Sequence, residues 1–189
     1  MEQTIKLIVG LGNPGQQYIE TPHNAGFLLL DHFLDECVSE PVSWKEKGHA
    51  LFCKVNYQNL DYYFLKPQNF MNRSGPVIQN FSQFYKINQQ ETLVIHDEVD
   101  LPLGSCKLKF SGGAGGHNGL RSIFQSWGKD FWRFRIGVDK DPKQDTAKYV
   151  LSRWSNEKLL KFIDPALADF KLILEKGPKL AMNQVNQNN

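Results

Sequence analysis

Cysteine is scarce in this chain of 189 residues: Cys37, Cys53 and Cys106 are widely spaced and form no C-x-x-C pair. An odd, scattered set argues against both a disulfide framework and a zinc site, and leaves buried free thiols in a reducing cytoplasm as the expectation. Long apolar runs are missing too. Nothing approaches the roughly 20 residues needed to span a bilayer. The N-terminus opens on the strand-like run 5–9 rather than on a charged region followed by a long apolar one. The expected protein is soluble, cytoplasmic and not exported. Signatures of a protein nucleophile are absent as well, with no G-x-S-x-G elbow and no cysteine in a recognised local pattern with histidine. If the chain is a hydrolase, water activated by histidine is the economical nucleophile.

What is present fits one domain. At 41% hydrophobic the chain is long enough for one well-buried core and short for two. The apolar run 5–10 ending in glycine and the run 92–96 read as buried central strands. Segments 50–56 and 60–66 bracket the turn-like Gln58-Asn59 as a hairpin, and 106–110 and 131–138 are also strand-like. Helical spacing covers 25–36, 72–85, 117–127 and 155–175; Gly177-Pro178 is the stop signal, and Pro165 predicts a kink or restart. The expected fold class is α/β: a single catalytic domain over 1–182, a twisted mixed β-sheet flanked by α-helices on both faces. The Asn- and Gln-rich stretch 183–189 reads as a mobile polar tail.

Five polar stretches fall where strands end or helices begin: GLGNPG (10–15), TPHNAG (21–26), FMNRSG (70–75), HDEVD (96–100) and GGHNGL (115–120). Open α/β sheets build their sites at such places. The first has the spacing of a dinucleotide fingerprint, but Pro14, the polar run 16–21 and Pro22 delay the helix that should hold the pyrophosphate. Its glycines instead present Asn13, which either reaches a ligand or closes its own turn. His23 either packs or caps a helix, or acts as a general base held by a partner. Asp97, at the end of a buried strand, is the best candidate for that partner. Glu98 and Asp100 permit a metal reading, disfavoured because the histidines lack i, i+4 spacing and there is no second acidic cluster. Asn72 and Asn118 each precede a helix, where capping is the ordinary task. The glycine-rich 111–119 lacks the Lys-Ser/Thr pair of a P-loop, which disfavours NTP hydrolysis.

Charge is unevenly distributed although the net charge is only +2. Between Gly104 and Arg135, Lys107, Lys109, Arg121, Lys129, Arg133 and Arg135 face a single acid, Asp130. This segment either meets a polyanion or is a solvated surface balanced by distant acids.

The strand with GLGNPG, then Tyr18, TPHNAG, KPQNFMNRSG, HDEVDLPLG, GGAGGHNGL and FRIGV resembles, in order and spacing over about residues 5–138, the bacterial peptidyl-tRNA hydrolase family. The resemblance implies hydrolysis of the ester between a peptide, or an N-blocked aminoacyl group, and the 3′-terminal ribose of tRNA. It also implies no metal or other cofactor, and a monomer without an obligate protein partner. By resemblance, His23 is the catalytic base and Asp97 orients it. Asn13, Tyr18, Met71, Asn72, His117 and Asn118 bind substrate, and Lys107, Lys109 and Arg135 grip the 5′ phosphate of tRNA; Arg133 is less strongly implied. The alternative is an inactive RNA-binding module of the same fold. Two departures stand out: Ala114 lies where many relatives carry histidine, and the turn from Gly137 to Pro142 is more acidic than the family's.

Overall fold

A strand buried at every position needs cover on both faces. β1 (Leu7–Gly10) and β5 (Thr92–Glu98) are buried throughout. They lie side by side and parallel in a seven-stranded sheet in the computed structural model of the chain, which describes residues 4–188. On one side of β1 come β4 (Leu60–Pro67), β3 (Ala50–Tyr57) and the short β2 (Lys45–Lys47); on the other, beyond β5, come β7 (Trp132–Gly137) and β6 (Cys106–Phe110). The four strands from β4 to β7 are mutually parallel, and β2–β3, β3–β4 and β6–β7 pair antiparallel. The sheet is therefore mixed, as expected.

Alternation along the strands sorts side chains into two cores. Ile8, Phe64, Leu93, Ile95, Phe134 and Ile136 pack with α1 (Ala25–Cys37), α5 (Asn156–Lys176) and α6 (Pro178–Gln187). Leu7, Val9, Leu65 and Val94 face the other way, toward α2 (Ser74–Tyr85) and α3 (Asn118–Ser126). The short α4 (Thr146–Val150) adds Tyr149 and Val150 to the first core. The chain leaves β1 toward one edge, returns to β4 beside it, and crosses through α2 to β5 on its other side. A crevice therefore opens at the carboxyl ends of β1 and β5, the position this topology reserves for ligands.

Three expectations need correction. Pro165 does not restart the helix, since α5 runs unbroken through it. The Lys161 carbonyl, to which Pro165 has no N–H to donate, lies against Gly104, where a Cβ would be only 2.5 Å from it. The polar tail is not loose over 183–187, because those residues belong to α6; Asn189 lies outside the described residues. Gly177-Pro178 both ends α5 and starts α6, with proline in the first turn where it suits a helix. Val185 is buried, and Asn186 bonds like a strand partner to the free edge of β6, accepting from Leu108 N (2.8 Å) and donating to Leu108 O (2.9 Å). Of the thiols, Cys53 and Cys106 are buried but Cys37 only partly. Burial pushes Cys53 up to about 12. Among the described residues no helix is long and apolar enough to cross a membrane.

Candidate active site

A 3-10 turn, Pro22–Asn24, leads into α1 and carries His23. Two contacts fix that turn. Gly26 presses onto the ends of β1 and β5 so closely that a Cβ would collide with the Leu11 backbone and the Ile95 carbonyl. Asn24 clasps the first glycine loop, accepting from Asn13 N (2.8 Å) and donating to Asn13 O (3.0 Å). β5 delivers Asp97 to the same place. His23 Nδ1 lies 3.0 Å from each Asp97 carboxylate oxygen, and His117 Nε2, at the start of α3, lies 2.8 Å from Oδ1.

The protons in this cluster can be assigned. His117 Nδ1 accepts from the backbone N–H groups of Gly119 (3.1 Å) and Leu120 (3.4 Å), so its proton sits on Nε2 and is donated to Asp97. Burial pushes the Asp97 carboxyl up, but His23 and His117 overcome this by charge and hydrogen bonding and hold it well below the usual carboxylate range. Ionised, Asp97 can only accept, so His23 Nδ1 is a donor too. Burial lowers the His23 imidazole, yet the Asp97 charge and hydrogen bond outweigh it, and its pKa is raised above the ordinary value. His23 Nε2 has no partner among the described residues, and the His23 side chain lines a cleft of about 440 Å³. Glu98, residues 114–118 and residues of α4 complete the walls. Donor atoms of His23, Asp97 and His117 lie within 4.8 Å of one another, a spacing that suits a metal ion. The proton on His117 Nε2 removes the lone pair a metal would need, so the donor set does not fit one.

The remaining candidates divide. Asn13 is buried and its Oδ1 accepts from Met71 N (2.8 Å), which fixes its amide with Nδ2 unpartnered among the described residues. It does not close its own turn. Tyr18 packs edge-on to the exposed Phe70. Asn72 is exposed on the 3-10 turn Met71–Arg73, with no side-chain hydrogen bond among the described residues. Asn118 is the exposed first residue of α3, whose cap is the His117 side chain. Neither asparagine caps its helix, and neither bonds to His23 or Asp97. On the face of β6 and β7 away from the α5 core, Lys107 pairs across strands with Arg135, and Lys109 with Arg133. Lys107 Nζ donates to Asn186 O (2.7 Å), and Arg135 binds Glu98 through Nε (3.1 Å) and Nη2 (3.0 Å). Burial, then Arg133 and Arg135, lower Lys109 from its ordinary value.

Comparison with known proteins decides the family. The family model for peptidyl-tRNA hydrolase matches residues 7–189. The peptidyl-tRNA hydrolase of Desulfitobacterium hafniense is 41% identical, with 97% of this chain and 100% of that one aligned. That of Hahella chejuensis is 44% identical over 83% and 82%. A crystal structure of the Acinetobacter baumannii peptidyl-tRNA hydrolase superposes with a TM-score of 0.88 at 38% identity, covering 98% of this chain and 96% of that one. The chain belongs to the peptidyl-tRNA hydrolase family. It is a hydrolase acting on ester bonds, with a function connected to translation. Two residues of this hydrolase that hold the cleft together, Asn24 and His96, escaped the sequence reading as site residues, while Glu98 was read only as a metal ligand and Arg133 only as a weaker phosphate contact. His96 and Arg133 had a visible signal, a polar residue inside an apolar strand, but only the fold gives their partners.

Proposed function

We propose that the cleft receives the 3′ end of peptidyl-tRNA and that His23, held by Asp97, activates the water that cleaves the ester to the terminal ribose. The observation that carries this reading is the polarity of the His23 ring. Nδ1–H donates a hydrogen bond to Asp97, so the neutral imidazole directs the Nε2 lone pair away from Asp97. As water oxygen attacks the ester carbonyl carbon, Nε2 takes its proton, and Asp97 stabilises the imidazolium that results. The tetrahedral intermediate then expels the ribose hydroxyl, which recovers that proton from Nε2. The products are a free peptide acid and tRNA with its terminal hydroxyl restored.

Asn13 Nδ2, aimed by the bond between its Oδ1 and Met71 N, and the Asn118 amide are the donors proposed for the developing oxyanion and the peptide. Tyr18, Met71, Asn72 and His117 bound the peptide and ribose side. Lys107, Lys109 and Arg135 grip the 5′ phosphate; Arg135 then exchanges Glu98 for phosphate, and Lys107 gives up Asn186. Phosphate contacts of this sort carry no base information, which suits an enzyme that accepts many tRNAs. The enzyme acts as a cytoplasmic monomer without a cofactor. The test compares an N-acetyl-aminoacyl-tRNA with the same aminoacyl-tRNA left unblocked. The blocked ester should be cleaved and the free one spared; equal cleavage would sink the reading, and binding without cleavage of either would favour the inactive RNA-binding module.

A further inference from the structure

The four cations on β6 and β7 are not alike. Lys107, Lys109 and Arg135 are partly exposed, whereas Arg133 is 2% exposed. Burying a guanidinium without a carboxylate is costly, and Arg133 has no ion pair among the described residues. Burial and the neighbouring Arg135 bring it down to about 10, so it remains a cation at neutral pH. Its acceptors are all uncharged: Gly113 O (2.7 Å from Nη1), Ser111 O (3.4 Å from Nη1) and His96 Nε2 (3.3 Å from Nε, 3.2 Å from Nη2). His96 can accept there because its Nδ1–H donates to Asp97 O (2.7 Å). The His96 ring also packs edge-to-face on His117, with centroids 5.0 Å apart.

Among the described residues the loop so held has few other anchors, chiefly Ala114, which packs against the α2 and α3 core. Ser111, Gly112, Gly115 and Gly116 all have φ in the left-handed region. A Cβ added at Gly113, Gly115 or Gly116 would meet nothing within 4 Å. Besides the Arg133 bonds, the backbone bonds anchoring 111–117 include Ser111 N to Phe131 O (2.8 Å) at one end and His117 N to Ala114 O (3.0 Å) at the other. Yet this loop brings His117 to Asp97 and Asn118 to the cleft.

We propose that Arg133 is a positioning residue: braced on His96, its guanidinium pins the Ser111 and Gly113 carbonyls and so sets the loop that holds His117 on Asp97. The inference rests on the reading of the cleft as the catalytic site. A planar fork is needed because the Ser111 and Gly113 carbonyls are met from Nη1 while His96 is met from Nε and Nη2, and the single nitrogen of an ammonium cannot stand in both places. Because Arg133 and Arg135 share one strand, the loop and the phosphate grip are built on the same support.

In the full chain, Arg133→Met should lower kcat about 10²-fold, the cost of a misplacement near 1 Å, while tRNA affinity and its salt dependence stay as in wild type. The hydrogen-bonded His117 Nε2–H resonance should disappear from the proton NMR spectrum. Arg133→Lys should resemble Arg133→Met, since charge alone does not hold the loop. Wild-type kcat with the His117 resonance intact would overturn the proposal. So would a salt slope reduced by about one, the mark of a phosphate ligand. Should both variants fail to fold, NMR of the ¹⁵N-labelled wild type decides: a protected Arg133 Nε–H coupled to His96 Nε2 supports the brace, and rapid exchange with water overturns it. Failure of the catalytic reading would look different, with turnover surviving in His23→Ala whatever the Arg133 results.

Discussion

Asp97→Asn keeps the size of the side chain and removes its charge, and the consequence follows from two hydrogen bonds. His117 must donate from Nε2, because its Nδ1 already accepts from Gly119 and Leu120. The one acceptor oxygen of the new amide therefore turns to His117, 2.8 Å away in the native enzyme. Its NH₂ then faces His23 Nδ1, which has to accept, and the His23 proton moves to Nε2. The nitrogen proposed to take a proton from water now carries one. The lost electrostatic part can be sized: an ion pair about 4 Å apart in a surface cleft contributes about 4 kcal/mol, or about 10³-fold in rate. The assay is single-turnover release of N-acetyl-amino acid from tRNA between pH 5 and 9. Wild type should lose activity on acidification with a midpoint above the ordinary imidazole value of about 6.5, since the raised His23 pKa keeps it protonated to higher pH. In Asp97→Asn the rate should fall at least about 10³-fold, and any residual acid limb should move down. A loss below about 10-fold, with the limb unmoved, would refute the reasoning.

Other outcomes can be checked separately. Lys109→Ala and Arg135→Ala should each weaken tRNA binding and reduce the slope of log K against log salt by about one; unchanged slopes would argue against a phosphate clamp. Asn13→Ala should lower kcat more than it raises KM, by about 10²-fold if its amide meets the oxyanion, and a pure KM effect in steady-state kinetics would reassign it to binding. Phe170, fully buried with ring centroids 5.0 Å from Phe33 and 6.4 Å from Phe134, should cost about 3–5 kcal/mol of urea-measured stability on replacement by alanine. A loss below about 1 kcal/mol would show that this side of the core is not packed as described.

What could be read from the sequence was whatever local chemistry dictates. The Gln58-Asn59 hairpin turn is legible because it needs two successive left-handed residues, with φ of 51° and 63°, and asparagine takes that conformation more readily than a branched residue. The central strands show as apolar runs, and glycines mark the places where α1 meets them. β2 was invisible because Lys45, Glu46 and Lys47 form a fully exposed edge with no alternation to detect. The end of α6 looked like a tail because its polar residues conceal one buried valine and an asparagine that pairs with a strand 78 positions earlier. Likewise the pairing of His23 with Asp97 follows from a helix-start motif and a strand-end motif, but the second histidine on Asp97 does not. His117 reads as a groove residue until the fold brings it across 20 positions to the carboxylate. Arg133 reads as one more surface cation, and only its 37-residue reach to His96 reveals it as internal.

The central claim, that His23 removes the proton from the attacking water, is tested most directly by His23→Ala in single-turnover hydrolysis of N-acetyl-aminoacyl-tRNA, with tRNA binding measured on the same preparation. The account predicts a rate reduced by at least about 10³-fold, the range expected when a general base is lost, at unchanged tRNA affinity. Hydrolysis at the wild-type rate with intact binding would contradict it.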